Sequence, residues 1–560
     1  MTDTYFVGVD VGTGSARAAL VNLKGTVLKQ CVKPIKTWNP ENDHYEQSSD
    51  DIWRSVCHCV KEVTSDADKA KIRAISFDAT CSLVVLGANG EALTVSNTSS
   101  NEQNIILWMD HRAHAEAALI NSTKHELLQY VGGQVSLEME IPKLLWLKKN
   151  IKNTWKNIWR VFDLPDFLTW RSTGADTRSL CSAVCKWNYD AMKMCWSAEF
   201  LKKIDLEDLC RNNFEIIGQS ICEPGTAVGA GLTKEAAEEL SLLPGTIVGT
   251  SLIDAHAGAL GMFGCRAVLN EHDKQLEAAL DNLQGKLALI CGTSTCHMSL
   301  TREPCMAHGI WGPYRGAVLP NYFLNEGGQS AAGILLDFVV KSHPQYTAIQ
   351  AKLGQNEHIY TYLNKLLKKM TEERKCEDMC QLTKDLHVWP DFHGNRSPIA
   401  DPNLRGMITG LNMNDDEEAL ALLYLAFVQA LAYGTRHIID NLVEKHKRVP
   451  YSSMLFCGGL AKNNVYVQAH ADICQLPAVI PDEQEMVLVG AAMLGACAAK
   501  AFESLEATSK EMGGNGVLLK PNSSTKDFHN RKYRVFLQLL EDQRKYKSIM
   551  EMECSCTSIV

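Results

Sequence analysis

The sequence predicts an α/β protein built from two domains, and three observations support this prediction. At 560 residues, the chain is longer than one hydrophobic core usually supports. Runs with strand character alternate with runs of helical character, as in α/β domains. A motif of strand, Gly-Thr turn and strand also occurs twice, near residues 5–21 and 287–300. This repeat indicates a duplicated architecture with one copy in each domain.

The first copy of the motif begins the chain. Residues 5–11 are rich in β-forming side chains, residues 12–14 form a turn signal, and residues 15–21 have the propensity for either helix or strand. A second turn signal at residues 22–25 leads into residues 26–28. Three short β-capable runs separated by tight turns favour a meander over a strand followed by a helix.

The second copy runs through residues 287–291, a Gly292-Thr293-Ser294 turn and residues 296–300. A polar, helix-prone segment before it marks the boundary between the domains. We therefore predict an N-terminal domain over residues 1–265 and a C-terminal domain over residues 266–505. Residues 506–560 are predicted to form an appendage, in which a loop precedes a charged helix.

A long helix is predicted after residue 415. Asp415 is a candidate N-cap with Glu418 three residues later, as in a capping box. An apolar stripe at helical spacing follows, made by Leu420, Leu423, Tyr424, Phe427 and Leu431. Its most apolar part is shorter than the ~18 residues of a membrane span, so the sequence predicts a buried helix.

The composition is that of a globular protein with an acidic balance. Apolar residues make up 46% of the chain, charged residues 22%, and the net charge is −9. Excess negative charge argues against nucleic acid or an anionic membrane as the main partner. The N-terminal segment has no basic stretch followed by an apolar run, so we expect no signal peptide and a cytoplasmic location.

The chain contains 20 cysteines, which we expect to be reduced and largely buried in a non-secreted protein. The pairs that lie close in sequence are Cys57/Cys59, Cys181/Cys185, Cys376/Cys380 and Cys554/Cys556. Because none has the CxxC spacing of a zinc knuckle, the spacing disfavours a zinc site.

The first Gly-Thr turn is a candidate phosphate site. Gly12 and Gly14 would let backbone N–H groups approach a phosphate closely, and Thr13 and Ser15 add hydroxyl donors. Asp10 precedes the turn and is a candidate ligand for Mg²⁺ or its water shell.

Two alternatives exist for this turn. A plain hairpin has the same composition, and a dinucleotide loop shares the first two glycines. The dinucleotide loop is disfavoured because Arg17 occupies the third glycine position, and no GK[ST] motif follows. The second turn, at Gly292-Thr293-Ser294, strengthens the phosphate interpretation because it repeats the pattern.

Asp254 is a candidate general base. It follows a strand-like run, residues 248–253, and precedes small residues that can start a tightly packed helix. A carboxylate at such a strand end can accept the proton of a hydroxyl. The alternative is an ordinary N-cap aspartate. For the neighbouring His256 we expect a local hydrogen-bonding role.

A third candidate segment starts at residues 454–457, a strand-like run that enters Gly458-Gly459 and then a helix. Glycine lets a flat nucleobase lie against the backbone, and Asn463 can hydrogen-bond to the base. A strand-to-helix turn without a ligand has the same composition, so both interpretations stay open.

Together these segments resemble the FGGY family of carbohydrate kinases, over roughly residues 5–500. The matching motifs are residues 10–17, 108–113, 254–258, 292–294, 406–411 and 458–463. The resemblance implies two actin-like (ribonuclease H-like) domains with a catalytic cleft between them. It also implies ATP-dependent phosphorylation of a sugar with Mg²⁺, in which Asp254 is the catalytic base and Asp10 the metal residue. The implied nucleotide-binding residues are Gly12, Thr13, Ser15, Arg17, Gly292, Thr293, Gly333, Gly458, Gly459 and Asn463.

Within the family, the chain is most similar to the D-ribulokinase-like branch, through residues 77–82 and 391–398. The implied sugar-binding residues are Ala79, Lys186, Asp254 and Glu326. Without the family, Lys186 would be an ordinary surface lysine and Glu326 a solvated loop acid.

The preferred reaction converts D-ribulose to D-ribulose 5-phosphate. L-Ribulose, ribitol or another pentulose or pentitol stays open as the substrate, and so does an actin-like ATPase without sugar kinase activity. The expected partners are ATP and a small sugar, and homodimer formation is left open.

Overall fold

This computed structural model describes residues 4–354 and 357–551, and the chain folds into two compact units. The first unit contains the chain up to Ile290, together with Met298–Glu326 and Pro481–Val517. The second contains Cys291–His297, Gly327–Ile480 and the chain from Leu518. These compact units are made of several stretches of chain and therefore differ from the predicted domains, which are the contiguous segments 1–265, 266–505 and 506–560. The predicted domain boundaries stay a prediction. Cys554, Cys556 and the end of the predicted appendage lie outside the described residues.

The elements of the described residues are numbered in chain order. The strands are β1 (Tyr5–Val11), β2 (Ser15–Asn22), β3 (Val27–Pro34), β4 (Glu46–Gln47), β5 (Ile72–Ala79), β6 (Leu83–Leu86), β7 (Ile105–Ile106), β8 (Arg160–Asp163), β9 (Thr177–Ser179), β10 (Ser220–Cys222), β11 (Ile247–Ile253), β12 (Arg266–Ala267), β13 (Lys286–Cys291), β14 (Thr295–Thr301), β15 (Trp311–Arg315), β16 (Phe323–Gln329), β17 (His387–Trp389), β18 (Met407–Thr409), β19 (Ser453–Cys457), β20 (Ala478–Pro481) and β21 (Asn515–Leu519). The helices are α1 (Ser49–Thr64), α2 (His114–Ser122), α3 (Glu140–Asn150), α4 (Lys152–Asn157), α5 (Leu164–Thr173), α6 (Leu180–Lys186), α7 (Ala198–Lys203), α8 (Arg211–Phe214), α9 (Lys234–Leu240), α10 (Asp254–Phe263), α11 (Glu277–Asp281), α12 (Gly333–Ser342), α13 (Tyr346–Lys352), α14 (Ile359–Glu373), α15 (Glu417–Asp440), α16 (Asn464–Cys474), α17 (Met486–Ala498), α18 (Leu505–Met512) and α19 (Lys526–Glu551).

The first unit is organised around a five-stranded sheet with the order β11-β5-β1-β2-β3. Strands β1, β2 and β3 form the antiparallel meander that the turn signals predicted. Strands β1, β5 and β11 run parallel to one another. The carboxyl ends of these parallel strands therefore meet at one edge of the sheet, which is the edge where α/β proteins bind ligands.

Helices cover both faces of this sheet. Val7 and Val9 point to one face, where they pack in the same buried cluster as Ile52 of α1. Gly8 points to the opposite face, where a Cβ atom would lie 2.1 Å from the backbone oxygen of Leu488 in α17. Glycine at this position therefore lets α17 pack closely on the sheet, which is why this late segment belongs to the first unit.

In the second unit, β19 pairs in parallel with β20 and β17 pairs antiparallel with β18. Helix α15 supplies core side chains, and four members of the predicted stripe are fully buried: Leu420, Tyr424, Phe427 and Leu431. The predicted N-cap is wrong by one residue. The helix begins at Glu417, so Asp416 holds the extended backbone of a cap, and its side chain accepts a hydrogen bond from Ala419 N at 2.8 Å.

The stretch Glu417–Lys445 is long and apolar enough to cross a membrane by length and composition, and 72% of its most apolar window is buried inside the protein. Such burial is characteristic of a core helix.

The predicted C-terminal helix is confirmed as α19. Its buried aromatic side chains Tyr533 and Phe536 pack with Trp389 and Tyr433, and the Phe536 and Trp389 ring centroids are 4.5 Å apart.

Candidate active site

Acidic side chains come together at the carboxyl edge of the first sheet. Asp10 in β1 is in register with Asp78 in β5. Ala79 ends β5 and is in register with Ile253, the residue immediately before Asp254. The strand pairing therefore brings Asp10, Asp78 and Asp254 to one place, with the small Ala79 side chain at the end of β5.

Asp10 is buried and held by Arg17, its cross-strand neighbour on β2. Arg17 Nε donates a hydrogen bond to Asp10 Oδ2 at 2.6 Å, and Arg17 Nη1 lies 3.1 Å from Glu485 Oε2. Among the described residues, Asp10 Oδ1 has no hydrogen-bond partner. Arg17 is thus engaged with two carboxylates, and its contact with nucleotide stays a prediction. Glu485 was not found from the sequence because it is 468 residues away from Arg17.

Asp78 had no predicted role of its own, although it stands in a motif that the sequence analysis used. Burial, and then the negative charge of Asp10, raise the pKa of Asp78 well above its ordinary value. Both causes favour the neutral form of this carboxyl over the charged form.

Asp254 is the first residue of α10 and is half-buried. Burial, and then the charge of Asp10, raise the pKa of Asp254 from 3.8 to about 7, against the opposing effects of the Ala255 N–H, Lys186 and Arg17. Asp254 Oδ1 accepts from Ala255 N at 2.6 Å. The ordinary N-cap alternative does not describe this geometry, because Ile253 is the cap residue and no side chain caps the helix.

Lys186 is the last residue of α6 and is buried. Its Nζ atom lies 3.8 Å from Glu138 Oε2 and 4.4 Å from the centre of the Trp311 ring. A buried ammonium needs such partners because it has lost its water. The alternative of an ordinary surface lysine is therefore wrong.

Glu326 is also buried and lies within a strand, so the alternative of a solvated loop acid is wrong as well. It is in register with Trp311 of the neighbouring strand β15. Glu326 Oε2 lies 3.6 Å from Nε2 of His256, which follows Asp254 by two residues. These contacts connect Lys186, Glu326 and Asp254 within the first unit.

The first Gly-Thr turn is fixed by polar contacts. Gly12 N donates to Ser15 O at 3.0 Å, which closes the turn. Trp108 Nε1 donates to Thr13 Oγ1 at 3.0 Å, and Gln47 Nε2 donates to Thr13 O at 2.8 Å. A side chain at Gly14 would meet nothing within 4 Å, so the space beside this turn is open.

The second Gly-Thr turn borders a cavity of about 880 Å³ in the second unit. Of the predicted residues, this cavity is lined by Gly292, Thr293, Gly333, Gly459 and Asn463. Gly292 N donates to Ser294 O at 2.9 Å, whereas Gly12 N in the first turn donates to Ser15 O. In both turns the hydrogen bond comes from the first glycine. A Cβ atom at Gly333 would lie 2.6 Å from Gly292 O, so glycine lets α12 begin directly against the turn.

The Gly-Gly turn contributes to the cavity through its second glycine. A Cβ at Gly459 would meet nothing within 4 Å, whereas Gly458 has φ of +90° and a Cβ there would lie 2.6 Å from Cys291 O. The Asn463 side chain caps α16 and donates to Tyr424 Oη at 2.6 Å. Its contact with a nucleobase stays a prediction. The cavity also includes Tyr360, whose ring stacks on Tyr424 at 5.3 Å and which the sequence analysis missed.

Comparison with known proteins agrees with this arrangement. Residues 5–261 match the N-terminal domain of the FGGY family of carbohydrate kinases, and residues 287–499 match its C-terminal domain. The FGGY carbohydrate kinase domain-containing protein of Xenopus laevis is 48% identical over 551 residues, which cover 98% of each chain. A D-ribulokinase of Saccharomyces cerevisiae is 40% identical over 524 residues, 89% of this chain and 72% of the yeast protein.

Solved structures show the same fold at low sequence identity. The crystal structure of a gluconate kinase from Lactobacillus acidophilus superposes with a TM-score of 0.77 and 18% identity, covering 97% of this chain and 98% of that one. The predicted two-domain α/β fold is therefore confirmed. With both family domains matched in order along the chain, the protein belongs to the FGGY family of carbohydrate kinases and is an ATP-dependent sugar kinase.

Proposed function

We propose that this kinase transfers the γ-phosphoryl group of ATP to the terminal 5-hydroxyl of D-ribulose, forming D-ribulose 5-phosphate. The observation that carries the proposal is the grouping of a buried lysine and a buried glutamate, Lys186 and Glu326, around the half-buried carboxyl of Asp254. The yeast relative named D-ribulokinase supports the choice of sugar.

Asp254 is the catalytic base in this proposal. Its carboxylate takes the proton of the 5-hydroxyl while the hydroxyl oxygen bonds to the γ-phosphorus and the bond from that phosphorus to ADP breaks. A pKa near 7 suits a base that works at neutral pH, because the group is ionised in a useful fraction of molecules yet still attracts a proton.

Lys186 and Glu326 recognise the sugar hydroxyls. The ammonium of Lys186 donates hydrogen bonds, whereas the carboxylate of Glu326 accepts them. Both groups are buried, so an analogue that lacks a hydroxyl leaves one of them unpaired, which can reduce kcat/KM by ~10⁴-fold. Ala79 contributes by its small size, which leaves room at the end of β5.

The nucleotide contacts two groups of residues in this proposal. The cavity of about 880 Å³ is large enough for adenosine and its phosphates. The backbone N–H groups of Thr293 and Gly459 are the proposed donors there, and the absence of a side chain at Gly292 and Gly459 leaves open space for the ligand. The residues proposed to contribute through the first Gly-Thr turn are Gly12, Thr13, Ser15 and Arg17.

Asp10 fits a divalent cation, because its Oδ1 atom is buried and lacks a hydrogen-bond partner among the described residues. Its second oxygen is held by Arg17, which fixes the orientation of the carboxylate. Mg²⁺ prefers such oxygen ligands and keeps several waters. When bound with ATP, Mg²⁺ neutralises negative charge on the phosphates.

A sugar panel tests the proposed function. We would measure ADP release with D-ribulose, L-ribulose, ribitol, D-xylulose and glycerol, and locate the phosphate on the product by NMR. We expect the highest kcat/KM with D-ribulose and a 5-phosphate product. A higher kcat/KM with any other member would contradict the choice of sugar. Absence of sugar-stimulated ATP turnover across the panel would contradict the assigned site as a whole.

A further inference from the structure

Three potential metal ligands lie close together, on the same two helices as Lys186 and Asp254. Cys181 and Cys185 are four residues apart on α6 and therefore lie on one face of that helix. His256 lies in the first turn of α10. All three side chains are fully buried, and one ligand atom from each lies within 4.8 Å of the others. The spacing rules that disfavoured zinc did not detect this group, because its third member comes from another segment.

Two distances between possible ligand atoms match those around a tetrahedral metal ion. Zn–S bonds of ~2.3 Å and Zn–N or Zn–O bonds of ~2.0–2.2 Å place neighbouring ligand atoms roughly 3.4–3.8 Å apart. Cys185 Sγ lies 3.4 Å from His256 Nε2, and Glu326 Oε2 lies 3.6 Å from the same nitrogen. The sulfur and the carboxylate thus approach His256 on the nitrogen that would coordinate the ion.

The ligand types select the metal. Thiolates with an imidazole suit Zn²⁺, whereas Mg²⁺ prefers oxygen ligands. Two thiolates neutralise a divalent charge, and the negative charge of Glu326 as a fourth ligand would be offset by the neighbouring ammonium of Lys186. Asp254, two residues before His256, is half-buried, so solvent reaches the start of α10.

We propose that Cys181, Cys185, His256 and Glu326 form an inhibitory Zn²⁺ site. The metal site itself stands on the geometry, whereas its inhibitory effect rests on the proposed function. Coordination would withdraw Glu326 from the sugar and would fix α6, which carries Lys186. Bound Zn²⁺ is therefore expected to raise the KM for the ketose at least ~10-fold and to change the KM for ATP little.

Metal titrations of the full chain test the site. We would add Co²⁺ or Zn²⁺ alone to reduced, chelator-treated protein and record absorption spectra. We expect one Co²⁺ per chain, with thiolate-to-cobalt charge-transfer bands and tetrahedral d–d bands that Zn²⁺ abolishes. Cys181→Ser should weaken Zn²⁺ binding by ~100-fold or more, since loss of an outer partner alone costs 10–100-fold. Absence of thiolate–cobalt bands in the wild-type protein would overturn the site, whether or not the variant folds.

A matched control is Cys57→Ser, which changes another buried cysteine of the first unit. Among the described residues, Cys57 belongs to no group of three metal-ligating side chains, so this variant should bind the ion as the wild type does. Equal binding by Cys181→Ser and Cys57→Ser would also overturn the site.

Kinetics separate the two proposals. Zn²⁺ should raise the KM for D-ribulose, and a zinc-selective chelator should restore it. If the ion binds through thiolates but leaves this KM unchanged, the inhibitory role is overturned. If no sugar supports turnover, the proposed function fails, whereas the cobalt spectrum still reports on the metal site.

Discussion

Replacement of Asp254 by asparagine should lower activity and raise stability at the same time. The pKa of Asp254 rises from 3.8 to about 7 in the folded protein. Because each tenfold change in proton affinity corresponds to ~1.4 kcal/mol, ionising this carboxyl costs the folded state roughly 4 kcal/mol more than it costs the unfolded chain. The side chain is half-buried and partly screened by solvent, so we expect about 1–3 kcal/mol in practice.

The size of this effect depends on pH. Below the unfolded-state pKa near 3.8, the carboxyl is protonated in both states and costs nothing. As the pH rises from 3.8 towards 7, the unfolded chain loses its proton first, so the wild-type protein loses stability over this range. The asparagine side chain of the variant does not titrate. The stability gain of Asp254→Asn should therefore grow between pH 4 and pH 7 and stay constant above pH 8.

Thermal unfolding at pH 5 and pH 8 measures this gain, in EDTA and without nucleotide, so that no metal ion contributes. We expect Asp254→Asn to gain ~1–2 °C more in Tm at pH 8 than at pH 5. Its kcat with D-ribulose should fall ~10²–10⁴-fold, because a general base contributes that much, while ATP still binds.

Asp391→Asn is the matched control, since Asp391 is also half-buried and burial raises its pKa to about 7. That variant should change stability in the same direction with kcat within a few-fold of wild type. A near wild-type kcat in Asp254→Asn would refute the catalytic assignment, and a pH-independent stability difference would refute the electrostatic reasoning.

Three further predictions address the sugar, the nucleotide and the core. Lys186→Met should lower kcat/KM for D-ribulose by ~10²-fold or more, because the sugar hydroxyl that Lys186 binds is left without a hydrogen-bond donor, while the KM for ATP changes less. Equal effects on both substrates would contradict the assignment of Lys186 to the sugar. Gly459→Leu should raise the KM for ATP at least ~10-fold with little change in Tm, because the leucine side chain enters open space in the cavity. An unchanged KM for ATP would show that the nucleotide binds elsewhere. Phe536→Ala should destabilise the second unit by ~3–5 kcal/mol, because this ring is buried beside Trp389. An unchanged midpoint of urea unfolding would show that α19 adds little to the core.

Local patterns in the sequence were sufficient for the secondary structure that frames the site. The meander of β1, β2 and β3, the strand before Asp254 and the helix after the Gly-Gly turn each follow from turn residues and hydrophobic period, which act over a few neighbouring residues. The family followed from short motifs of this kind, because each one spans only a few consecutive residues.

Side-chain partners across the chain could not be predicted in this way. Arg17 joins Asp10 and Glu485, although Glu485 lies 468 residues further along. Lys186 and Glu326 would have been an ordinary surface lysine and a solvated acid without the family, and the structure buries both. No local pattern records burial of this kind, because it depends on which remote segments pack over a residue.

By itself, therefore, the sequence determined the strands, turns and helices around its motifs and the chemical groups available for phosphoryl transfer. Only the tertiary structure decided which of those groups share one environment, such as Cys181 and Cys185 with His256. It also decided the ionisation of Asp254, since its pKa depends on burial and on the charge of Asp10. The physical reason is range: backbone preferences are set by neighbours in the chain, whereas desolvation, charge and metal geometry are set by neighbours in space.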